Sequence, residues 1–367
     1  MSEIGKYIYG IINSDTQESF DLSGIVAVEG VYPIKAGSEV ANNSEISNSA
    51  YTISFQDICA IVSDSQIVDY SRIPKDALAR LLVRHQQVIE KVMTKHNIIP
   101  MKLGTFANNG KEVRNILAKG YRTIKDIFER AKNTIEIDVV ATLNDFNSFL
   151  QEVSEEEEIK QLKQSLLNKK GGIAVDDQMR VGILVKKYID KKREEYANRI
   201  SLALSEIAQE FKTHDLMDDK MVLNTAFLID QSKQKHFERK VEELNDRFEE
   251  KINFRCVGPL PPYSFYTLEV KKTQFEEVDW ARKKLGLTDD FITTEKIRKA
   301  HHRLALTCHP DKNPGAPGIE KKFEDMTRAY KILLDYYRAS NQAEDADGCF
   351  FNEEAFEMNT MLVTVAE

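Results

Sequence analysis

Long apolar runs are missing from this chain of 367 residues. Its apolar stretches are strand-sized, far below the roughly 18 residues that a membrane-spanning helix needs, so no membrane partner is expected. The opening Met1-Ser2-Glu3-Ile4-Gly5-Lys6 has neither a basic start nor a sustained apolar core. That argues against a secretory leader and for a soluble, cytoplasmic protein. Cysteine is scarce: Cys59, Cys256, Cys308 and Cys349 stand far apart, without a C-x-x-C pair or paired histidines. Structural zinc and a disulfide framework are therefore not expected, and the thiols read as buried or incidental. Net positive charge is lacking too. At −8 overall, the chain does not read as a nucleic-acid binder.

No triad, metal cluster or cofactor loop can be assembled from the sequence, so neither an enzyme nor a bound cofactor or metal is expected. The nearest approach is Gly104-Thr105-Phe106-Ala107-Asn108-Asn109-Gly110-Lys111-Glu112, which has five residues between its glycines. A phosphate loop has about four, and Glu112 stands where a hydroxyl would hold magnesium. His85 falls on an apolar helix face and reads as a packed histidine. Cys308 and His309 are adjacent, and neighbours in sequence rarely point at one another.

What is present is a patterned α+β chain. Residues 6–12 read as an opening strand, with further strand-like pieces at Ile25–Val31 and Tyr51–Val62 around a polar loop, Ala36–Ser49. A helix is expected over Lys75–Lys95, with Leu78, Leu82, His85, Ile89 and Val92 on one face. Asn97–Phe106 reads as a strand entered through a turn. Lys111–Lys132 reads as a helix burying Val113, Leu117, Ile124 and Phe128, and Thr134–Leu143 as a strand. The run Glu155–Glu158 and the pair Gly171-Gly172 mark a boundary or a long excursion. A long helix follows, Val181–Phe211, with Ile189, Tyr196, Ile200, Leu204, Ile207 and Phe211 on one face. Strand Met221–Asp230, helix Ser232–Glu250 and strand Lys251–Val257 complete a second strand–helix–strand set. The order of elements predicts two related α+β units, 1–150 and 151–272. Then comes Gly258-Pro259-Leu260-Pro261-Pro262-Tyr263-Ser264-Phe265, whose prolines suit neither a helix nor a central strand. It reads as a stiff connector or as a binding surface.

The last quarter is built differently. Residues 278–340 carry a net charge of +4 and residues 341–367 a net charge of −7. Lys296, Lys299 and Arg303 step by three and four, giving a positive helical stripe. Ile297, Ala300, Leu304 and Cys308 form the opposing apolar stripe, and Phe323, Met326, Tyr330 and Leu333 answer it from the next helix. Between the two helices stands His309-Pro310-Asp311, where the proline ends the first. The cationic stripe would steer an acidic partner surface. The acidic tail, 341–367, is expected to be disordered. The alternative is a peptide that docks on a partner or folds back on the basic module.

Two resemblances emerge from these residues. Tyr7-Ile8-Tyr9-Gly10-Ile11, the helix segment around Arg84-His85, and Ile99-Pro100-Met101-Lys102-Leu103-Gly104-Thr105-Phe106 occur in order with two later segments. Those are Leu223-Asn224-Thr225-Ala226-Phe227-Leu228-Ile229-Asp230 and Gly258–Phe265. Over residues 1 to about 272 this resembles the gas vesicle protein F/L (GvpF/GvpL) family. The resemblance implies two ferredoxin-like α+β domains and a minor structural or assembly protein that contacts the gas vesicle shell protein. Gly258, Pro259, Pro261, Pro262 and Tyr263 are the candidate contact. Residues 273–340 resemble a DnaJ-type J-domain. Leu285-Gly286-Leu287 closes the first short helix, Ile297–Ala305 matches the basic second helix, His309–Pro314 the signature loop, and Phe323–Leu333 the third helix. His301 departs from the family, which often has an aromatic residue there. The resemblance implies Hsp70 (DnaK-type) binding through His309, Pro310 and Asp311 with Lys296, Lys299 and Arg303. Together the two imply an assembly factor that brings Hsp70 to the shell protein. The alternative is a stoichiometric vesicle component with the J-domain as a docking module only.

Overall fold

The computed structural model describes residues 4–25, 49–70, 73–168, 174–249, 251–272, 274–309, 312, 317–340, 348–352 and 361–366. Most of the strand expected at Ile25–Val31 and most of the polar loop after it lie outside these. The chain divides into two compact units. One comprises Met1–Arg130 with Tyr266–Glu367, the other Ala131–Phe265.

The first unit opens with β1 (Ile4–Ile12), β2 (Ser19–Asp21), β3 (Ser49–Phe55) and β4 (Ile58–Gln66), followed by α1 (Lys75–Met93), β5 (Ile98–Pro100), β6 (Phe106–Ala107) and α2 (Gly110–Arg130). The strands form one antiparallel sheet in the order β2-β3-β4-β1-β5, with β6 also on β1. The single strand expected over 51–62 is a hairpin instead. Gln56, at φ 53°, turns the chain between Phe55 and Ile58. The apolar run on both sides hid that turn, because a buried hairpin shows no polar break. Asn97–Phe106 is likewise two short strands, parted by a turn with Gly104 at φ 84°.

Helix α2 buries Val113, Leu117, Ile124 and Phe128, as the spacing predicts. Helix α1 is rotated from its expected face. It buries Ala77, Leu81, Arg84, His85, Val88, Ile89 and Val92, and leaves Leu82 exposed. The periodicity admitted either stripe, and counting only apolar residues passed over Arg84.

The second unit contains β7 (Thr134–Leu143), α3 (Phe146–Ser154), α4 (Glu157–Leu167), α5 (Val175–Ser205), β8 (Glu210–Thr213), β9 (Met221–Asp230), α6 (Gln234–Arg247), β10 (Ile252–Leu260) and the short α7 (Tyr263–Tyr266). The expected boundary near residue 150 moves to 130, because β7 pairs with β9 and β10. The sheet order β10-β7-β9-β8, all antiparallel, is the ferredoxin-like βαββαβ order. Three helices, α3 to α5, make its first crossover. The first unit orders its elements differently, with four strands before any helix. The long helix ends at Ser205 rather than near Phe211, which lies in edge strand β8 and is about half exposed (48 %). Tyr196, Ile200 and Leu204 form the buried part of its stripe.

The chain then returns to the first unit with β11 (Leu268–Lys272), α8 (Phe275–Lys284), β12 (Phe291–Thr293), α9 (Thr294–Cys308), α10 (Ile319–Ser340), β13 (Gly348–Phe350) and β14 (Met361–Val365). Helices α8, α9 and α10 close on one small core of Val278, Ala281, Leu285, Ile297, Ala300, Met326 and Leu333. The tail departs from the disorder expected of it. Strand β13 pairs with β12, and β14 pairs with β11.

Candidate functional site

The basic helix α9 starts at a side-chain cap, the Thr293 hydroxyl accepting from the Lys296 amide at 3.2 Å. It ends at His309, whose extended backbone (φ −67°, ψ 130°) stops the helix. Ile297 and Ala300 point into the core, while Leu304 and Cys308 are half-buried at its rim. Lys296, Lys299 and Arg303 are exposed as the spacing predicts. Lys296 pairs with Asp289 at 2.7 Å and Lys299 with Glu295 at 2.6 Å, both solvent-exposed pairs that an incoming acidic surface can displace at small cost. Arg298, His302 and Leu306 share this outward surface, forming with Lys299, Arg303 and Thr307 one shallow groove. The stripe reading missed these three, although they follow from the same i, i+4 steps begun one position away.

His309 is held in place. Its ring meets Phe323 of α10 edge-on at 5.3 Å between centroids. Pro310 and Asp311 lie outside the described residues. Gly286, at φ 68°, closes α8, with the Gly286 and Leu287 amides bonding back to Lys283 and Arg282 at 3.1 and 3.0 Å. His301 fills the aromatic position by itself: its ring stacks on Tyr330 at 4.0 Å and 18°. Burial, reinforced by His302, holds its pKa below the ordinary histidine value. Its Nε2 is buried without a hydrogen-bond partner among the described residues. His301→Phe keeps the stack and removes that orphan nitrogen. The substitution should raise stability by about 1 kcal/mol, read as a higher thermal midpoint; a lowered midpoint would show that Nε2 is bonded.

The proline segment divides. Gly258 and Pro259 are exposed on edge strand β10, joined by a cis peptide bond, whereas Pro261 and Pro262 are buried and Tyr263 is half-buried. Edge placement is what lets a strand hold Pro259. The segment is pinned by a residue that pattern reading passed over as a strand polar position. Glu136 on β7 is almost wholly buried (1 % exposed) and accepts from both the amide and the hydroxyl of Ser264 at 2.8 Å. His214 lies 3.1 Å from the same hydroxyl, and Lys212 donates to the Ser264 carbonyl at 3.1 Å.

Burial pushes the Glu136 carboxyl up to about 8, against the pull of the Ser264 donors. A carboxyl raised in the fold stabilises it below its unfolded value near 4.5 and loses that contribution as pH rises toward 8. Glu136→Gln should therefore gain on the wild type by at least about 1 kcal/mol between pH 5 and pH 8. Chemical denaturation at the two pH values checks it, and a constant difference would contradict it.

A second buried polar cluster sits under α1. Tyr7 Oη donates to His85 Nδ1 at 2.8 Å, and His85 Nε2 donates to the Met101 carbonyl at 3.0 Å. A carbonyl can only accept, so the proton of the neutral imidazole is on Nε2. Burial lowers the His85 pKa to about 4. Tyr9 and Ser63 hydroxyls bond at 3.0 Å beside it. This cluster ties β1, α1 and the turn before Gly104 together, which makes it a fold device. The near-phosphate loop is similarly occupied: the Asn109 side chain caps α2 by accepting from Lys111 and Glu112 amides, and Glu112 accepts from Asn108. Among the described residues no group of His, Cys, Asp and Glu could hold a metal ion. No helix of the described residues is long and apolar enough to cross a membrane.

Residues 5–267 match the family described as gas vesicle synthesis protein GvpL/GvpF. The chain belongs to that family. Among its relatives, gas vesicle protein F1 of Halobacterium salinarum is 25 % identical over 73 % of this chain and 95 % of its own length. Gas vesicle protein F of Nostoc is 22 % identical over 58 % of this chain and 91 % of its own length. The crystal structure of GvpF from Anabaena aligns at a TM-score of 0.57 with 20 % identity, covering 73 % of this chain and 99 % of that one, and so shares the fold. To this GvpF/GvpL body a second match is added, the DnaJ domain over residues 283–341. Chaperone protein DnaJ of Ehrlichia ruminantium is 47 % identical over 51 residues, which are 14 % of this chain and 13 % of that protein. That likeness extends to the domain alone. Both resemblances expected from the sequence are thus met.

Proposed function

We propose that this GvpF/GvpL-family protein is a non-catalytic assembly factor of gas vesicles. Its body binds the vesicle shell protein, and its J-domain brings an Hsp70 of the DnaK type to that client and stimulates ATP hydrolysis. The observation that carries the reading is the union of a GvpL/GvpF match and a DnaJ match in one chain, with the basic face of α9 turned outward. The relatives carry gas vesicle names, which supports a gas vesicle client and a location on growing vesicles in the cytoplasm. An apolar shell subunit before assembly is an aggregation hazard, and holding it soluble is a task suited to chaperone recruitment. Of the proline segment, only Gly258, Pro259 and part of Tyr263 remain available for the shell contact.

The experiment combines Hsp70 ATPase assays with quantification on purified vesicles. Stimulation that vanishes with His309→Gln, together with absence from mature vesicles, supports the assembly reading. A fixed complement on washed vesicles with no ATPase stimulation would assign the chain instead as a stoichiometric component whose J-domain only docks.

A further inference from the structure

Neither family match reaches residues 342–367, yet the described part of this tail is sewn into two places. Its first half completes the J-domain. Strand β13 pairs with β12 from Phe291↔Phe350 to Thr293↔Gly348, and the Phe351 amide donates to the Asp290 carbonyl at 2.8 Å. The Phe351 ring is buried against Tyr336 of α10, 4.9 Å between centroids, and the Tyr336 hydroxyl donates to the Phe350 carbonyl at 3.2 Å. The second half leaves the J-domain. Strand β14 lies antiparallel on β11 through five pairs, Leu268↔Val365 to Lys272↔Met361, and the Ala366 amide donates to the Thr267 carbonyl at 2.6 Å.

Strand β11 belongs to the N-terminal fold. Leu268 bridges Met101, and its carbonyl accepts from the Lys102 amide at 2.7 Å. Glu269, buried opposite Thr364, is held by Lys102 at 2.7 Å and Lys271 at 2.8 Å, and Lys271 also reaches Asp335 of α10 at 3.2 Å. Above this pair lies a seat with one evident occupant. Val363 is buried (3 % exposed) over Gly120 of α2, where an added Cβ would stand 2.8 Å from Val363 Cγ1. A glycine in mid-helix costs stability relative to alanine. Here it opens the space that Val363 fills.

We propose that residues 348–365 are a strap that fixes the J-domain on the N-terminal fold, with residues 361–365 docking as a strand along β11 over Gly120. The J-domain then does not swing on a tether. The basic face of α9 is presented at a set orientation to the fold that carries it. The inference is independent of the chaperone reading, since its test measures tumbling and not ATP hydrolysis.

Trp280, the single tryptophan of the chain, lies on α8 within the J-domain and reports its motion. Time-resolved Trp280 anisotropy of the full chain should decay with the whole molecule. A chain ending at Asn352 keeps Phe351 and loses β14. That chain, Val363→Asp and Gly120→Val should each add a rotational component several-fold shorter. Hydrogen exchange on the unaltered protein gives a reading that no folding defect can obscure: amides of 268–272 should be protected in step with those of α10. The proposal is overturned if the full chain already shows the fast component, if Val363→Asp decays like the wild type, or if 268–272 exchanges like an open loop. A concentration-dependent dimer that exchanges β14 between copies would also overturn it.

Discussion

His309→Gln is expected to remove the stimulation of Hsp70 ATP hydrolysis, by about tenfold or more, which corresponds to at least about 1.4 kcal/mol. The thermal midpoint should hardly move. His309 sits beyond the last turn of α9, half-buried, with its ring edge on Phe323. It lies outside the core formed by Val278, Ala281, Ile297 and Leu333, so its loss leaves that packing intact. Single-turnover hydrolysis with and without the full chain measures the effect. The charge reversal Arg303→Glu should act differently, because Arg303 has no ion-pair partner among the described residues. It should slow association most at low salt and lose that effect as salt rises. Equal losses at all salt concentrations would point to damaged packing instead of lost steering.

The largest stability effect is expected under α1, on acidification. His85 is neutral in the fold, with a pKa lowered to about 4 by burial. The unfolded chain takes up a proton near pH 6.5 that the folded chain refuses until about pH 4. A depressed histidine pKa therefore contributes stability that is fully present above pH 6.5 and lost as pH falls through 4. Over that interval the contribution is on the order of 3 kcal/mol. His85→Phe should cost stability at neutral pH, because the Tyr7 hydroxyl and the Met101 carbonyl lose their shared partner. Its disadvantage should shrink as pH falls from 6.5 to 4. Urea denaturation of both proteins across this range separates the histidine from the many carboxylates that titrate with it. A gap between the two curves that does not change with pH would contradict the assignment.

Much of this architecture was legible because burial and periodicity agreed. Helix α2, strands β7 and β9, and the two long J-domain helices each carry a continuous apolar face, and each was placed within a few residues. The errors share a cause. Local pattern says how a segment is buried, not with which strand it pairs. So β7 was given to the first unit although its hydrogen bonds run to β9 and β10. The β3–β4 turn lay hidden in an apolar run. The tail misled through its charge: its seven acids suggested disorder, but Phe351 and Val363 are buried by distant partners, Tyr336 and Gly120. At the site, the cationic face could be read from i, i+4 steps alone. Glu136 could not, since only the fold brings β7 under Ser264.

The central claim is that one chain joins Hsp70 to a gas vesicle client, and a bead assay tests it most directly. Shell protein is immobilised, and Hsp70 is added with ATP, with and without this protein. Hsp70 should be retained only when the full chain is present, and His309→Gln should release Hsp70 while the variant itself stays on the shell protein. Retention of Hsp70 that is indifferent to His309, or failure of the full chain to bind the shell protein at all, would contradict the account.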